Sequence, residues 1–510
     1  MASWTEVAQR VVDWHGSTIL LALSTGWVLS TRTKRKEVHR IRRGKGCSVC
    51  RLTCSATDDA LRDEAPGPAS SDPQWPSVCV IVPAKGVKDG SVRNWLSFRE
   101  ACAAYPGECR LFFCVESESD PACEAVRRSL SQDDAEVVVC GKATCCSQKL
   151  HNIVGGISRL RGCDWDAKYA LFLDDDVCLH GELIGNFVET LEHNDGAFMC
   201  TAYPFDVPAE KSGFVTRCVA AYHLRLIIAF SVSAQTNFVW GGCMMYRSRD
   251  LFSNAHGLVS CWENGGYSDD LIASATCQAK KLKIVCNPSN VLQQRLPRFT
   301  TIRAYWNYTC RQVFVLDTYV SAWHKTLNRG LIAIHVYLSA FFVAAVASNC
   351  FRYAALVVRL LAFLVRVSLG HSEWYQLSVR IAYVRLVGWT QRNLSAVFFF
   401  LCLCLCLRSL RAFASSMDAL FFELYSGQDD DDGRGTVKNR GAAKASCQGS
   451  KASGGLTWNW PHTVSMFAAL CVDVGLFVPA AAKALVSDEI EWSGVVYTKR
   501  KGLISKVKHR

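Results

Sequence analysis

Apolar residues fall into two kinds of run along this chain. Between residues 76 and 175 the runs are short and rich in β-branched or aromatic side chains: 78–82 (VCVIV), 111–115 (LFFCV), 136–139 (EVVV) and 169–173 (YALFL). Runs of that length predict buried strands. Helical stretches around 95–104, 122–130 and 148–160 separate them, and strands alternating with helices predict a parallel sheet covered on both faces. In such sheets ligands sit at the carboxyl ends of the strands.

After residue 331 the runs lengthen. Residues 331–348 carry no charged side chain and predict a membrane span, as do residues 464–482 despite Asp473. Residues 351–370 are apolar but hold Arg352, Arg359 and Arg366 at an interval of seven. That spacing predicts an amphipathic helix in the membrane interface with its arginines on lipid phosphates. Residues 395–407 (SAVFFFLCLCLCL) read as a re-entrant segment or a thin span. If both ends of this region face the cytosol, the spans after 331 number two or four. Near the start, a short apolar run at 17–30 is followed by nine Lys or Arg against one Glu over 31–51. Charge after the run predicts a signal anchor and places the chain from residue 31 onward in the cytosol.

The predicted organisation is an anchor at 11–30, a basic juxtamembrane segment and linker at 31–75, and an α/β domain at 76–325. Transmembrane and interfacial helices come next at 326–426, then a disordered acidic and polar loop at 427–455. A final transmembrane helix and basic cytosolic tail occupy 456–510.

Composition narrows the function classes. Half of the 510 residues are hydrophobic and 20% are charged, which excludes a disordered or fibrous chain. The net charge of +12 is clustered beside apolar runs, which points to anionic lipid headgroups and away from nucleic acid. The 26 cysteines sit in a chain long enough to build a core without staples, so reduced thiols are expected. Cys47 and Cys50 have no second pair at zinc-site spacing, and with Cys54 they suit lipid modification near the membrane.

Candidate chemistry lies where the strand pattern directs. Asp174, Asp175 and Asp176 follow YALFL at its carboxyl end. Adjacent carboxylates repel unless a cation neutralises them, and hard divalent cations with oxygen ligands do so well. An Asp-x-Asp pair at a strand end suits a metal that clamps a sugar nucleotide's diphosphate. A second pair, Asp269-Asp270 in GGYSDDL, suits either helix capping or a general base for an attacking hydroxyl. Gly241 and Gly242, beside Trp240, permit close backbone approach to a ligand. Downstream, Arg295, Arg298, Phe299, Tyr305, Trp306 and Arg311 interleave aromatics with arginines, which suits a diphosphate clamp or an interface belt.

Seven ordered blocks together resemble the ceramide glucosyltransferases, most closely the plant-type branch. They are VCVIVPAKG (78–86), FCVESESDPA (113–122), CSQKLHN (146–152), YALFLDDDVCLH (169–180), WGGCMM (240–245), GGYSDD (265–270) and YWNYTCRQVFVLDTY (305–319). The resemblance implies a nucleotide-sugar-binding α/β domain of GT-A fold facing the cytosol on Golgi or endoplasmic reticulum membranes. It implies inverting transfer of glucose from UDP-glucose to the primary hydroxyl of ceramide. By the same resemblance, Glu116 and Asp120 lie near the uridine and ribose, and Lys149 and Asn152 line the donor site. Asp174 and Asp176 hold Mn²⁺ or Mg²⁺ on the diphosphate, and Asp270, with Asp269 beside it, supplies the base. The family's Gln/Arg-x-x-Arg-Trp motif has two possible matches here, Arg295 to Phe299 or Tyr305-Trp306 with Arg311, and the sequence does not choose. Two other readings compete: a transferase with a different lipid or polysaccharide acceptor, and a membrane scaffold with a degenerate nucleotide-binding domain.

Overall fold

The computed structural model describes residues 4–43, 75–208, 212–296, 301–368, 393–425 and 458–510, with positions 384, 387 and 389 isolated between them. The chain opens with one long helix, α1 (Trp4–Arg42), which contains the apolar run and most of the basic cluster.

The four expected strands form as β1 (Val78–Pro83), β2 (Cys109–Val115), β3 (Glu136–Val139) and β4 (Tyr169–Leu173). They pair in parallel in the order β3-β2-β1-β4. Helices α2 (Ser91–Ala104), α3 (Pro121–Ser129) and α4 (Gln148–Arg161) link them. The sheet grows to eight strands through β9 (Cys243–Arg247), β6 (Ala197–Thr201), β10 (Lys283–Val285) and β8 (Gln235–Thr236). Apolar side chains cover both faces, Trp95, Phe98 and Phe113 on one and Ile81, Ile153 and Trp262 on the other. A mostly parallel sheet buried on both faces is the α/β layering that the strand and helix pattern predicts.

Three further features place the site. Strand β9 runs antiparallel to β4 and pairs Cys243 with Leu173, which brings Gly241-Gly242 against the end of β4. A small sheet of β5 (Val177–Cys178), β11 (Val291–Leu296) and β7 (Tyr203–Pro208) lies just beyond Asp174–Asp176. Helices α5 (Leu183–Glu192), α6 (Phe214–Leu226), α7 (Asp269–Lys280) and α8 (Ile302–Leu316) complete the domain.

The apolar half departs from expectation in several ways. Helices α9 (Ala322–Ser368), α10 (Leu394–Tyr425) and α11 (Trp460–Val486) each contain a stretch long and apolar enough to cross a membrane, so among the described residues three helices are candidates for the expected spans. The expected break near 350 is absent because no Gly or Pro interrupts residues 331–368; span and supposed interfacial helix are one helix of about 70 Å. The short run at 395–407 is likewise the first part of a 32-residue helix. Arg352 turns inward to Asp13 of α1 at 2.5 Å, so it does not join an outward basic stripe. Asp13 also accepts from Asn349 (2.9 Å), Ser395 (2.6 Å) and Gln9 (3.0 Å). A fully buried carboxylate requires that degree of satisfaction. Asp473 of α11 accepts a hydrogen bond from Tyr305 at 2.9 Å and forms an ion pair with Arg225 at 3.2 Å. Arg359 is exposed, and the Arg366 side chain, Cys47, Cys50, Cys54 and the 427–455 loop lie outside the described residues.

The basic tail is folded as well. Strands β12 (Glu489–Trp492), β13 (Val495–Arg500) and β14 (Leu503–His509) form an antiparallel meander. Its two-residue turns, Ser493-Gly494 and Lys501-Gly502, have positive φ at both positions, as hairpin turns of the I′ type require. The sheet docks on the α/β domain through Ile504 N–H donating to Gly265 (2.9 Å) and Tyr319 N–H donating to Gly502 (2.9 Å).

Candidate active site

The carboxyl ends of β1, β2 and β4 gather the acidic residues. The Asp174 amide donates to the Gly242 carbonyl at 3.0 Å, which ties the acidic string to the glycine pair. Lys149, in the first turn of α4, reaches into this edge. Its ammonium lies 2.7 Å from Asp174 and 2.8 Å from Asp269, and donates to the Gly241 carbonyl at 3.1 Å. Burial works against that charge, but the two carboxylates outweigh it and hold Lys149 above the ordinary lysine range. One lysine therefore joins the end of β4 to the start of α7.

The second acidic pair is divided by its surroundings. Ser268 caps α7, its hydroxyl accepting from the Leu271 amide at 3.3 Å. Asp269 is buried, paired with Lys149 and pressed against Gly241, where any Cβ would collide with its carboxylate. Asp270 remains partly open to the cleft. Its carboxylate accepts from the Leu271 amide (2.7 Å), the Gly241 amide (3.3 Å) and the Ser268 hydroxyl. Capping is thus Ser268's task, and Asp270 has no ion-pair partner among the described residues.

Burial pushes Asp269 up to about 6, with Lys149 pulling the other way. A raised carboxyl pKa means that Asp269 favours folding most when protonated, and that contribution is lost as pH rises through about 6. Below that value the Lys149 bridge loses one of its two charges. The acid limb of kcat/KM for the donor is expected near pH 6, and Asp269→Asn is expected to move it to lower pH; profiles over pH 5–8 that coincide for the two proteins would refute this.

Asp175 and Asp176 carry the strain of the acidic string. Burial pushes Asp175 up to about 7 despite Lys88 at 3.3 Å, and burial with Asp174 nearby raises Asp176. The Asp175 Oδ2 and Asp176 Oδ1 atoms are buried without a hydrogen-bond partner. Orphaned anionic oxygens fit a hard divalent cation. Among the described residues no group of three acidic, histidine or cysteine side chains could by itself hold a metal. Asp176 offers one such orphaned oxygen, and Asp174, now paired with Lys149, would complete a two-carboxylate seat that needs further ligands from outside the chain.

The other predicted residues divide by location. Glu116 sits at the end of β2, 2.5 Å from Lys85. Asp120 caps α3 through the Ala122 amide and accepts from Gly86, each at 2.8 Å, so it shapes the loop after β1. Asn152 is buried and joins α4 to β2 through the Cys114 carbonyl at 2.9 Å. Arg311 points back from α8, with the Tyr267 hydroxyl beside it and the charge of Asp174 acting on it. Trp306, one turn earlier, faces Lys483 of α11 and is not brought to the acidic cluster. Arg298 and Phe299 lie outside the described residues. A cavity of about 1190 Å³ between Trp75, Trp165 and Arg247 lies at the opposite end of the strands and is lined by no predicted site residue.

Lys88, Tyr267 and the C-terminal sheet are parts of this region that sequence reasoning does not single out. Lys88 had a signal, since it follows Lys85 in the loop after β1, at the edge where ligands bind.

Comparison with known proteins gives one family: the sequence model of glycosyl transferase family 21 matches residues 46–405. No curated protein matches the chain. Among solved structures, the chain is similar to the mannosyltransferase PcManGT from Pyrobaculum calidifontis in complex with GDP-Man and Mn²⁺, at 15% identity and TM-score 0.36, over 75% of this chain and 98% of that one. It is also similar to glucosyl-3-phosphoglycerate synthase from Mycobacterium tuberculosis, at 11% identity and TM-score 0.27, over 48% and 78% of the respective chains.

Proposed function

From the premise that the chain belongs to glycosyl transferase family 21, the family of the ceramide glucosyltransferases, we propose that it transfers glucose from UDP-glucose to the primary hydroxyl of ceramide with inversion. The observation that carries this reading is the pairing of an open carboxylate, Asp270, with the acidic edge of Asp174 and Asp176 across the Lys149 bridge. Asp270 accepts the proton of the ceramide hydroxyl as that oxygen bonds to the glucose anomeric carbon and the bond to UDP breaks. Lys149 and Arg311 bring positive charge to the departing diphosphate. Glu116 and Asp120 shape the end of the cleft assigned to uridine and ribose. A divalent ion, Mn²⁺ or Mg²⁺, on Asp174 and Asp176 supplies Lewis-acid neutralisation of the leaving group.

The apolar helices supply a lipid acceptor's route. Because β12–β14 dock on the catalytic domain, the chain between α8 and β12 crosses the membrane an even number of times. We assign the crossings to α9, which leaves the domain, and α10, which ends with the Tyr425 hydroxyl donating to Cys178 at 2.8 Å. Helix α11 is held along its length by Arg217, Arg225 and Tyr305 and rests against the catalytic side. The basic end of α1 then lies at the cytosolic headgroups of a Golgi or endoplasmic reticulum membrane.

The test is UDP release by the detergent-purified protein with UDP-glucose and Mn²⁺, with and without ceramide, and mass spectrometry of the lipid. Ceramide-dependent release with a monohexosylceramide product is expected. Release indifferent to ceramide would move the acceptor to another lipid or a polysaccharide, and folded protein without release under any metal would favour the scaffold.

A further inference from the structure

The last three strands touch most segments that carry the proposed donor site. The Trp492 ring of β12 covers the Arg311 guanidinium at 4.1 Å. Tyr497 of β13 packs edge-on against Tyr267 at 5.2 Å, and its hydroxyl accepts from the Gln148 amide, one residue before Lys149, at 3.3 Å. Ile504 of β14 donates to Gly265 at 2.9 Å, where φ is +83°, three residues before the Ser268 cap of the Asp269-Asp270 helix. His509, next to the last residue, makes a 3.0 Å hydrogen-bond contact with the Ala143 carbonyl and lies 3.8 Å from Glu116.

The sheet is firmly anchored. Lys499 is buried, donating to Asp317 at 2.5 Å and to the Ala484 carbonyl at 2.8 Å. Asp317 in turn takes Arg329 at 2.7 Å. A buried lysine left without such partners would be costly, so this seat defines where β13 lies. Arg311 is held differently, by the Tyr267 hydroxyl and by stacking, with no carboxylate salt bridge among the described residues. Its Nε is buried without a partner, and the face of its guanidinium rests on an aromatic ring. A planar cation held by stacking can still offer an unpartnered N–H such as this Nε edge-on to an incoming anion, and a diphosphate is the anion that suits the fork.

We propose that the C-terminal sheet is a wall of the donor site and that Trp492 is a positioning residue that aims Arg311 at the nucleotide diphosphate. This rests on the nucleotide-sugar reading above. The bland alternative is a sheet that packs and does nothing more.

The two separate in full-length protein in detergent, with UDP plus Mn²⁺ as the probe, for the parent, Trp492→Leu and Trp492→Phe. Leucine fills much of the space without a π face; phenylalanine retains one. The expected result is a UDP dissociation constant about 10-fold weaker in Trp492→Leu and within about 3-fold of the parent in Trp492→Phe, with unchanged thermal midpoints. The loss should appear in donor KM more than in kcat. Unaltered UDP affinity in Trp492→Leu overturns the positioning role, as does an equal loss in both variants that tracks a fall in midpoint. A parent protein that binds no UDP removes the nucleotide-sugar reading itself, and the inference with it.

Discussion

Asp270→Asn is expected to lower kcat by about 10²–10⁴-fold while UDP affinity stays within a few-fold of the parent. The change is nearly isosteric, and the amide oxygen can still accept from the Leu271 amide, which holds Asp270 at 2.7 Å. The cap of α7 does not depend on it, because Ser268 already accepts from the same amide. What disappears is the ability to take a proton at the open edge of the cleft. Asp269→Asn should behave differently. It leaves Lys149 with Asp174 as its only close carboxylate, so its loss should include donor KM. Steady-state kinetics on the two variants, with UDP binding measured separately, decide the matter. Retention of more than about a tenth of kcat by Asp270→Asn would exclude it as the base, since a positioned general base contributes at least about a hundredfold.

The division of labour between these neighbours was not legible in the sequence. Both aspartates sit in the first turn of one helix, and capping or catalysis suited either. One long-range contact separates them: Lys149, arriving from α4, pairs with Asp269, whereas the Gly241 backbone touches both. By contrast, the strands that carry the acidic edge were readable, because a parallel sheet buried on both faces leaves unbroken apolar runs such as VCVIV and YALFL. Strand β9 escapes prediction as an antiparallel insertion between β4 and β6, since a five-residue segment shows its composition but not its direction.

The C-terminal sheet is a different kind of miss. Its signal was local: Ser493-Gly494 and Lys501-Gly502 stand eight residues apart between segments of alternating polarity, the pattern of two tight hairpins. Six basic residues from Lys499 onward suggested a solvated tail, yet Lys499 itself is buried against Asp317. Charge counts report what a segment carries and not which way each residue faces. The membrane helices depart from expectation in the same direction. Spacing alone puts Arg352 on a lipid-facing stripe, whereas Asp13, more than three hundred residues away, draws it inward.

Asp176→Asn is expected to abolish metal-dependent turnover and yet to leave the metal-free protein as stable as the parent, or more so. The Asp176 Oδ1 atom is buried with no hydrogen-bond partner, and burial together with Asp174 pushes its pKa above the ordinary carboxylate range. A carboxyl group whose folded pKa is raised favours folding fully only at low pH, and ionising it costs stability as pH rises through the folded value. A neutral amide escapes that cost, so the gain of the variant should be absent in acid and should grow as pH rises. Function moves the other way. Loss of an outer-shell partner costs a metal site about 10–100-fold, and loss of a direct carboxylate ligand should exceed that, so UDP binding in Mn²⁺ should weaken by at least about 100-fold. Thermal midpoints across pH without metal, set beside UDP binding with it, test both halves. A carboxylate kept for packing or an internal hydrogen bond would lose stability on substitution and bind UDP nearly as before; a carboxylate whose Oδ1 is buried without a hydrogen-bond partner, as in Asp176, is expected to show the opposite profile.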